Sequence, residues 1–367
     1  MEYEDFVSVF RWRAGAGLAG VVEAHLRRVT ATLTAPSLYS SAERHAELIA
    51  GLSDLPPDAF LRVVRAPELF QALVARADAG PGRVEQLLED SIFVESGRGT
   101  PAGRRWSALG DAWRDPGGER TVSIGHGHGL PFAIDHDSPQ IDVALKVGDY
   151  RNHRFAASRH YELAEATPIV AALERAFDLI RACAPVAAQL VAQATVLVQL
   201  RRDDGNPGFF TSASCNTHVG RTILINPHLR MHDLESLANA LVHEAIHAIL
   251  YMHEQDAPLL PRIDPKAPGY LVRSAWTGNE LHLHTYLHAA FVWFGLFHLW
   301  TLVARDRPRL AWRPHLERAR AGFLRPEVLE NPTGFRDELA RGLWAILEDM
   351  VRQVRAASAP EVQSASA

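Results

Sequence analysis

The chain has 367 residues, of which 47% are hydrophobic and 22% charged, and this balance predicts a soluble globular protein with a sizeable core. The net charge of −5, without any block of basic residues, gives no electrostatic footprint for a nucleic-acid backbone, so nucleic acid is not an expected partner. The two cysteines, Cys183 and Cys215, lack CxxC spacing, which excludes a disulfide framework and a sulfur-based metal site.

The sequence also bears on where the protein acts. Its N-terminus, Met-Glu-Tyr-Glu-Asp-Phe, is acidic and lacks the basic-then-apolar order of a secretory signal. The most apolar run, residues 289–304, contains His298 and is shorter than the about 20 residues that a membrane-spanning helix needs. We therefore expect a core helix at this run, no membrane partner and a cytoplasmic location.

The first part of the chain carries apolar residues at spacings of three and four, which predicts a helical N-terminal region over residues 1–110. Within it, Ser41 precedes Glu43 and Arg44 and is a favourable helix start. Gly, Pro and Arg are frequent in residues 97–119, which predicts a surface loop or a domain boundary there.

Strand-forming residues follow in the middle of the chain. Residues 194–200 have β-type composition, and residues 208–214 and 220–226 predict a hairpin. Residues 121–136 contain three histidines among glycines, and a glycine-rich run is too flexible to select a metal without a fixed scaffold. We expect a loop near the active site there rather than a ligand set.

The motif that organises the chain is His243-Glu244-x-x-His247. Two residues four apart on an α-helix leave the same face one turn apart, so His243 and His247 can grip one metal ion. The surrounding residues are apolar or strong helix formers, which predicts a rigid and largely buried helix. Burial of two imidazoles and a carboxylate costs free energy unless they are bonded, and metal ligation would offset that cost.

The predicted hairpin leads into this helix. A small antiparallel sheet whose edge strand lies beside an HExxH helix is the arrangement of zincin-like metalloproteins, and such an edge can pair with an extended peptide. The sequence therefore predicts a mostly helical α+β fold. It comprises a helical region at 1–110, an HExxH metal-dependent catalytic domain at 120–355 and a disordered Ser/Ala tail at 356–367.

A second group of candidate ligands lies downstream of the motif. Glu280, His284 and His288 follow one another at intervals of four, so a helix over this stretch would carry all three on one face. Any of the three could be the third metal ligand. His282 falls on another face and is not an expected ligand.

Three segments carry a resemblance to a known family: Leu241-Val-His-Glu-Ala-Ile-His-Ala-Ile-Leu, Trp276-Thr-Gly-Asn and Leu287-His-Ala-Ala-Phe-Val. Together they resemble the HExxH-type peptide β-hydroxylases that depend on 2-oxoglutarate, over roughly residues 120–305. The resemblance implies an Fe(II) centre that uses O₂ and 2-oxoglutarate to hydroxylate a side-chain β-carbon of a ribosomally made precursor peptide. It also implies a radical-SAM enzyme of the same pathway as a partner.

The same resemblance implies roles for individual residues. His243 and His247 carry over as iron ligands, and His288 of the Leu-His-Ala segment carries over as the third. Arg273 is our choice to hold the distal carboxylate of 2-oxoglutarate, with Arg221 as the next candidate, because a planar bidentate donor suits a carboxylate.

The motif alone favours a different enzyme. In a zinc metallopeptidase, Glu244 would be the general base that activates a metal-bound water. Glu280, which follows Asn279, would then be the natural third ligand. A non-enzymatic metal domain that only binds a leader peptide is the third alternative.

Overall fold

The computed structural model describes residues 1–75, 82–99, 101–124, 129–139, 158–264 and 269–358. The fold is mostly helical α+β, as the sequence predicts. The chain forms two compact units. The sheet unit comprises Leu18–Ile180 and Ala188–His253, and the C-terminal unit comprises Met1–Gly17, Arg181–Ala187 and Glu254–Ala367.

The helices of the described residues are Tyr3–Val9 (α1), Leu18–Leu33 (α2), Ala42–Ser53 (α3), Pro57–Val64 (α4), Pro67–Val74 (α5), Gly82–Ser96 (α6), Leu163–Cys183 (α7), Pro185–Ala194 (α8), Leu234–Glu254 (α9), Leu283–Asp306 (α10), Arg313–Leu324 (α11), Glu327–Glu330 (α12) and Leu343–Ser358 (α13), with short 3₁₀ turns at Pro36–Leu38, Pro227–Arg230 and Thr333–Glu338. The strands are Arg105–Trp106 (β1), Ala112–Arg114 (β2), Arg120–Val122 (β3), Ala133–Asp135 (β4), Ser158–Arg159 (β5), Leu197–Asp203 (β6), Thr211–Ala213 (β7), Arg221–Ile225 (β8), Leu271–Arg273 (β9) and Glu280–His282 (β10).

The main sheet of the sheet unit has the strand order β4-β6-β8-β7, with β5 also paired to β6. Strand β6 runs parallel to both β4 and β8, whereas β5 and β7 are antiparallel to their neighbours. The prediction of an antiparallel sheet was therefore wrong in part. Parallel neighbours require a crossover connection, and helices α7 and α8 supply one between β4 and β6.

The predicted hairpin is confirmed at the edge of this sheet. Strand β7 pairs antiparallel with β8, with Thr211 opposite Ile225 and Ala213 opposite Ile223. All five residues of β8 are buried, as expected of a strand with neighbours on both sides. Strand β7 is the last strand in the order, so its outer edge borders no other described strand.

The helix that carries the HExxH motif is α9, as predicted. Asp233 stabilises its first turn, because the Asp233 carboxylate accepts hydrogen bonds from the Ser236 backbone N–H (2.9 Å) and from the Ser236 hydroxyl (2.7 Å). The helix contains neither proline nor glycine over its whole length, so its backbone hydrogen bonds continue through the motif.

The stretch predicted as a loop at residues 97–119 contains regular structure. Strands β1, β2 and β3 form a three-stranded antiparallel sheet in which Ala112 is fully buried. The strands are only two or three residues long, which is too short for an alternating pattern to be visible in the sequence. The predicted boundary between an N-terminal region that ends at residue 110 and a catalytic domain that begins at residue 120 stays a prediction. Each of the two compact units is assembled from separate segments of the sequence.

The C-terminal unit is built around α10, the core helix predicted at residues 289–304. Helix α1 and its C-cap residue contribute aromatic neighbours, since the rings of Tyr3 and Phe10 lie 6.1 and 6.2 Å from that of Phe291. The indole of Trp12 donates a hydrogen bond to the Gly295 carbonyl (2.8 Å). Although α10 is long and apolar enough to cross a membrane, 72% of its most apolar window is buried inside the protein, as in the core helix of a soluble protein.

The first three residues of the tail predicted at 356–367 are helical. Helix α13 continues to Ser358, because its apolar face, which includes Met350 and Val354, packs into the C-terminal unit. The remaining residues, 359–367, lie outside the described part of the chain.

Candidate metal centre

The HExxH residues form a metal-competent cluster in the sheet unit. One ligand atom from each of His243, Glu244 and His247 lies within 4.8 Å of the other two. The two imidazole rings are 5.0 Å apart between centroids, and Tyr251 stacks on His247 at 6.0 Å. The side chain of His243 is 28% exposed while that of Glu244 is 3% exposed, so the histidine side of the cluster is the accessible one.

The carboxylate of the motif is held by two serines, one in the edge strand β7 and one directly after it. The Ser212 hydroxyl donates to Glu244 Oε1 and the Ser214 hydroxyl donates to Glu244 Oε2, both at 2.6 Å. Residues two apart on a strand face the same side, so both serines can reach one carboxylate. The two serines were not predicted as site residues; the i, i+2 spacing of hydroxyls on a strand expected near the helix was the available signal.

A second metal-competent cluster lies in the C-terminal unit, between the end of α9 and the start of α10. It consists of Glu254, His284 and His288, whose ligand atoms also lie within 4.8 Å of one another. His284 Nε2 lies 2.6 Å from Glu254 Oε2, and His288 Nε2 contacts Glu254 Oε1. His288 is fully buried, at 1% exposure.

The protonation states of this second cluster suit metal ligation. Burial lowers the pKa of His288, although the nearby Glu254 opposes that shift, so the imidazole is neutral near pH 7. Burial of Glu254 works against its charge, but its contacts with His288 and His284 outweigh this effect and lower its pKa to about 2. A neutral imidazole and an ionised carboxylate are the forms that bind metal.

Glu280 does not share a helix face with the two histidines, which corrects the prediction. Helix α10 begins at Leu283, and Glu280 lies in β10, where it is exposed and opposite Arg273 of β9. The hairpin continues to the helix start, since the Leu283 N–H donates to the Tyr270 carbonyl (2.8 Å). Sequence spacing alone could not show that a strand interrupts the predicted helix.

The two arginines predicted to anchor 2-oxoglutarate lie in different environments. Arg273 is exposed, its Nε donates to the Gly278 carbonyl (3.2 Å), and it lines a surface pocket together with Arg325 and Asn331. Arg221 is 2% exposed, and its Nη1 donates to Glu68 Oε1 (2.6 Å). The contact that the structure shows for Arg221 is thus a buried ion pair.

The remaining candidate residues also lie in different parts of the chain. Of the predicted ligand set, His243 and His247 belong to the sheet unit and His288 belongs to the C-terminal unit. That these three residues bind one metal ion stays a prediction. In the glycine-rich stretch, His126 and His128 lie outside the described residues. His136 is buried, with its Nδ1 2.8 Å from the Tyr161 carbonyl oxygen.

The comparisons with known proteins add no family. No protein-family model matches the chain, and no curated protein matches it either.

Proposed function

We propose that the protein is an Fe(II)- and 2-oxoglutarate-dependent oxygenase that hydroxylates a side-chain β-carbon of a ribosomally made precursor peptide in the cytoplasm. The observation that carries this proposal is the environment of Glu244. Both of its carboxylate oxygens accept a hydrogen bond from a serine, one from Ser212 in β7 and one from Ser214 directly after it, and the residue is buried. A carboxylate held in this way orients the helix face that carries His243 and His247.

The donor set suits iron. His243 and His247 would hold the ion, and imidazole is a ligand type that Fe(II) accepts. When bound with 2-oxoglutarate, the metal supplies the activation of O₂ that hydroxylation requires. Arg273 would bind the distal carboxylate of 2-oxoglutarate, because a planar bidentate donor suits that group.

The sheet edge gives a reason to expect a peptide as substrate. The outer edge of β7 borders no described strand, and an extended peptide can add to such an edge through backbone hydrogen bonds. Because the hydroxyls of Ser212 and Ser214 fix β7 against α9, a peptide on this edge would be held close to the HExxH face.

A zinc metallopeptidase is the second candidate, and one observation favours it. A carboxylate oxygen of Glu244 lies within 4.8 Å of the ligating nitrogens of both motif histidines, which is where a general base must lie. A metal domain that only binds a leader peptide is the non-enzymatic alternative.

The experiment that tests this function traces the oxygen atoms of O₂ into the products. The full chain is loaded with Fe(II) under anaerobic conditions, mixed with 2-oxoglutarate and a short peptide encoded beside its gene, and exposed to isotopically labelled O₂. We expect succinate together with one labelled oxygen atom in the peptide by mass spectrometry, and neither product from His243→Ala. Peptide cleavage by the zinc form without labelled oxygen would establish the peptidase instead, and metal binding without any product would favour the non-enzymatic domain.

The HExxH ligands are tested by metal binding. We expect His247→Gln, which preserves side-chain volume but removes one imidazole of the HExxH cluster, to weaken Fe(II) binding by more than tenfold. Glu280→Gln, at an exposed strand position, should leave the affinity within about twofold. Anaerobic titration of each variant measures this, and an unchanged affinity in His247→Gln would contradict the proposed iron site.

A further inference from the structure

A second group of reactive side chains follows β7 in the sheet unit, at the turn between β7 and β8. Cys215 Sγ lies 3.6 Å from His218 Nδ1 and 3.3 Å from the Thr217 hydroxyl. The turn holds this arrangement, since the His218 N–H donates to the Cys215 carbonyl (3.3 Å) and the Arg221 N–H donates to the His218 carbonyl (3.1 Å). A nucleophile therefore lies beside a base.

The other nitrogen of the same imidazole has a carboxylate partner. His218 Nε2 lies 3.3 Å from Glu68 Oε2, and the second oxygen of Glu68 accepts the 2.6 Å hydrogen bond from Arg221. Glu68 lies in the first turn of α5, where a negative charge is favoured by the helix dipole. Nucleophile, base and orienting carboxylate thus come from two separate segments of the chain, as in a Cys-His-carboxylate triad.

Burial and charge fix the protonation of the group. His218 and Glu68 are 8% and 3% exposed, whereas Cys215 is only partly buried. Burial works against a thiolate, but the contacts of Cys215 with His218 and Thr217 and the charge of Arg221 outweigh it and lower the pKa of the thiol to about 6. Burial also disfavours a charged His218, but its contacts with Cys215 and Glu68 raise its pKa.

The other cysteine provides a contrast within the same chain. Cys183 ends helix α7 and is 5% exposed, and burial raises the pKa of its thiol. A cysteine that only fills space in a core is expected to behave like Cys183. The polar partners of Cys215 need another explanation.

We propose that Cys215, His218 and Glu68 form a thiolate site that reacts with hydrogen peroxide to give a sulfenic acid. The Cys215 thiolate attacks one peroxide oxygen, so that an S–O bond forms while the O–O bond breaks. Sulfur loses two electrons and peroxide gains them. The departing hydroxide takes a proton from the His218 imidazolium and leaves as water, and Glu68 positions that imidazole. The reaction uses neither the HExxH histidines nor a metal, so it stands independently of the proposed oxygenase.

The first measurement compares the two thiols of the wild-type protein. The folded full chain is treated with iodoacetamide between pH 5 and pH 9, and alkylation at each cysteine is followed by peptide mass spectrometry. We expect the rate at Cys215 to reach half its maximum near pH 6, whereas the rate at Cys183 still rises above pH 8. Similar profiles for the two thiols, both in the ordinary range near pH 8.5, would overturn the proposal.

The second measurement tests the partners and the oxidation. His218→Gln should move the midpoint for Cys215 upward by at least one pH unit, with unchanged circular dichroism, because it removes the imidazolium next to sulfur. After treatment with hydrogen peroxide, dimedone should label Cys215 but neither Cys183 nor the Cys215→Ser variant. An unchanged midpoint in a folded His218→Gln protein, or equal labelling of both cysteines, contradicts the proposal.

Discussion

At the residue scale, the decisive group is the Glu244 carboxylate. A buried carboxylate is stable only when its oxygens have partners, and each oxygen here has a serine hydroxyl at 2.6 Å. Each oxygen still has further acceptor capacity, so the hydrogen bonds by themselves allow either an orienting or a basic role. The two roles differ in whether the negative charge is needed, and a substitution can separate them.

We expect Glu244→Gln to retain hydroxylation within about tenfold, because the amide keeps the size of the side chain and can still pair with both serine hydroxyls. A peptidase would lose at least about a hundredfold in rate, since an amide cannot accept the proton of water. Succinate formation and peptide cleavage are measured on the same preparation. Ser212→Ala is the control for loss of a hydrogen bond without loss of charge, and a hundredfold loss of hydroxylation in the glutamine variant alone would contradict the orienting role.

At the element scale, one glycine permits the packing of α11 against the tryptophan that precedes β10. A Cβ placed on Gly322 would lie 2.3 to 2.5 Å from atoms of the Trp276 indole. The indole is also bound to α11 through its Nε1, which donates to the Ala319 carbonyl (3.0 Å), and it stacks on Trp293 of α10 with the ring centroids 6.3 Å apart. The indole is thus held by contacts with both α11 and α10, and the short Cβ distances at Gly322 favour glycine there.

We expect Gly322→Ala to lower the free energy of unfolding by about 1–3 kcal/mol, despite the helix propensity of alanine, because an overpacked contact must be relieved. Gly20→Ala in α2 is the matched control. A Cβ at Gly20 meets nothing within 4 Å, so this variant should be unchanged or more stable by up to about 1 kcal/mol. Urea unfolding measures the free energy of unfolding of both variants. An equal change in the two would show that the Trp276 side chain moves to accommodate the added methyl group.

Local features of the helices and strands could be predicted from the sequence, whereas features that depend on distant residues could not. Helix α3 begins after Ser41 as expected, because the serine side chain accepts a hydrogen bond from the Arg44 N–H and this signal is local. Glu280 was misplaced because only its pairing with Arg273 across β9 and β10 shows that it lies in a strand. The Ser212 and Ser214 contacts were missed for a similar reason, since they join residues 32 and 30 positions from Glu244.

At the scale of the whole molecule, the buried Asp135 and the partly buried His298 make stability depend on pH in opposite directions. Burial raises the pKa of Asp135 to about 7, although hydrogen bonds from Gln199 and Ser138 oppose the shift. Its stabilising contribution is therefore full below the unfolded pKa near 4 and is lost as pH rises through 7. Burial, with the charges of Arg11 and Arg13, lowers the pKa of His298 to about 3. Its contribution is full above pH 6.5 and is lost as pH falls through 3.

Between about pH 4 and pH 6.5 the two contributions oppose each other, so the stability of the wild-type protein should change little with pH in this window on their account. Asp135→Asn removes one of them. The stability of the variant relative to wild type should then rise with pH by up to about 1.4 kcal/mol per unit as far as pH 7. Urea unfolding at pH 5, 6 and 7 measures this slope, which is independent of any constant offset from altered hydrogen bonds.

Asp58→Asn, at an exposed position in α4, is the control for loss of a carboxylate. A difference that stays constant over these pH values would mean that the donors from Ser138 and Gln199 keep Asp135 ionised in the folded protein.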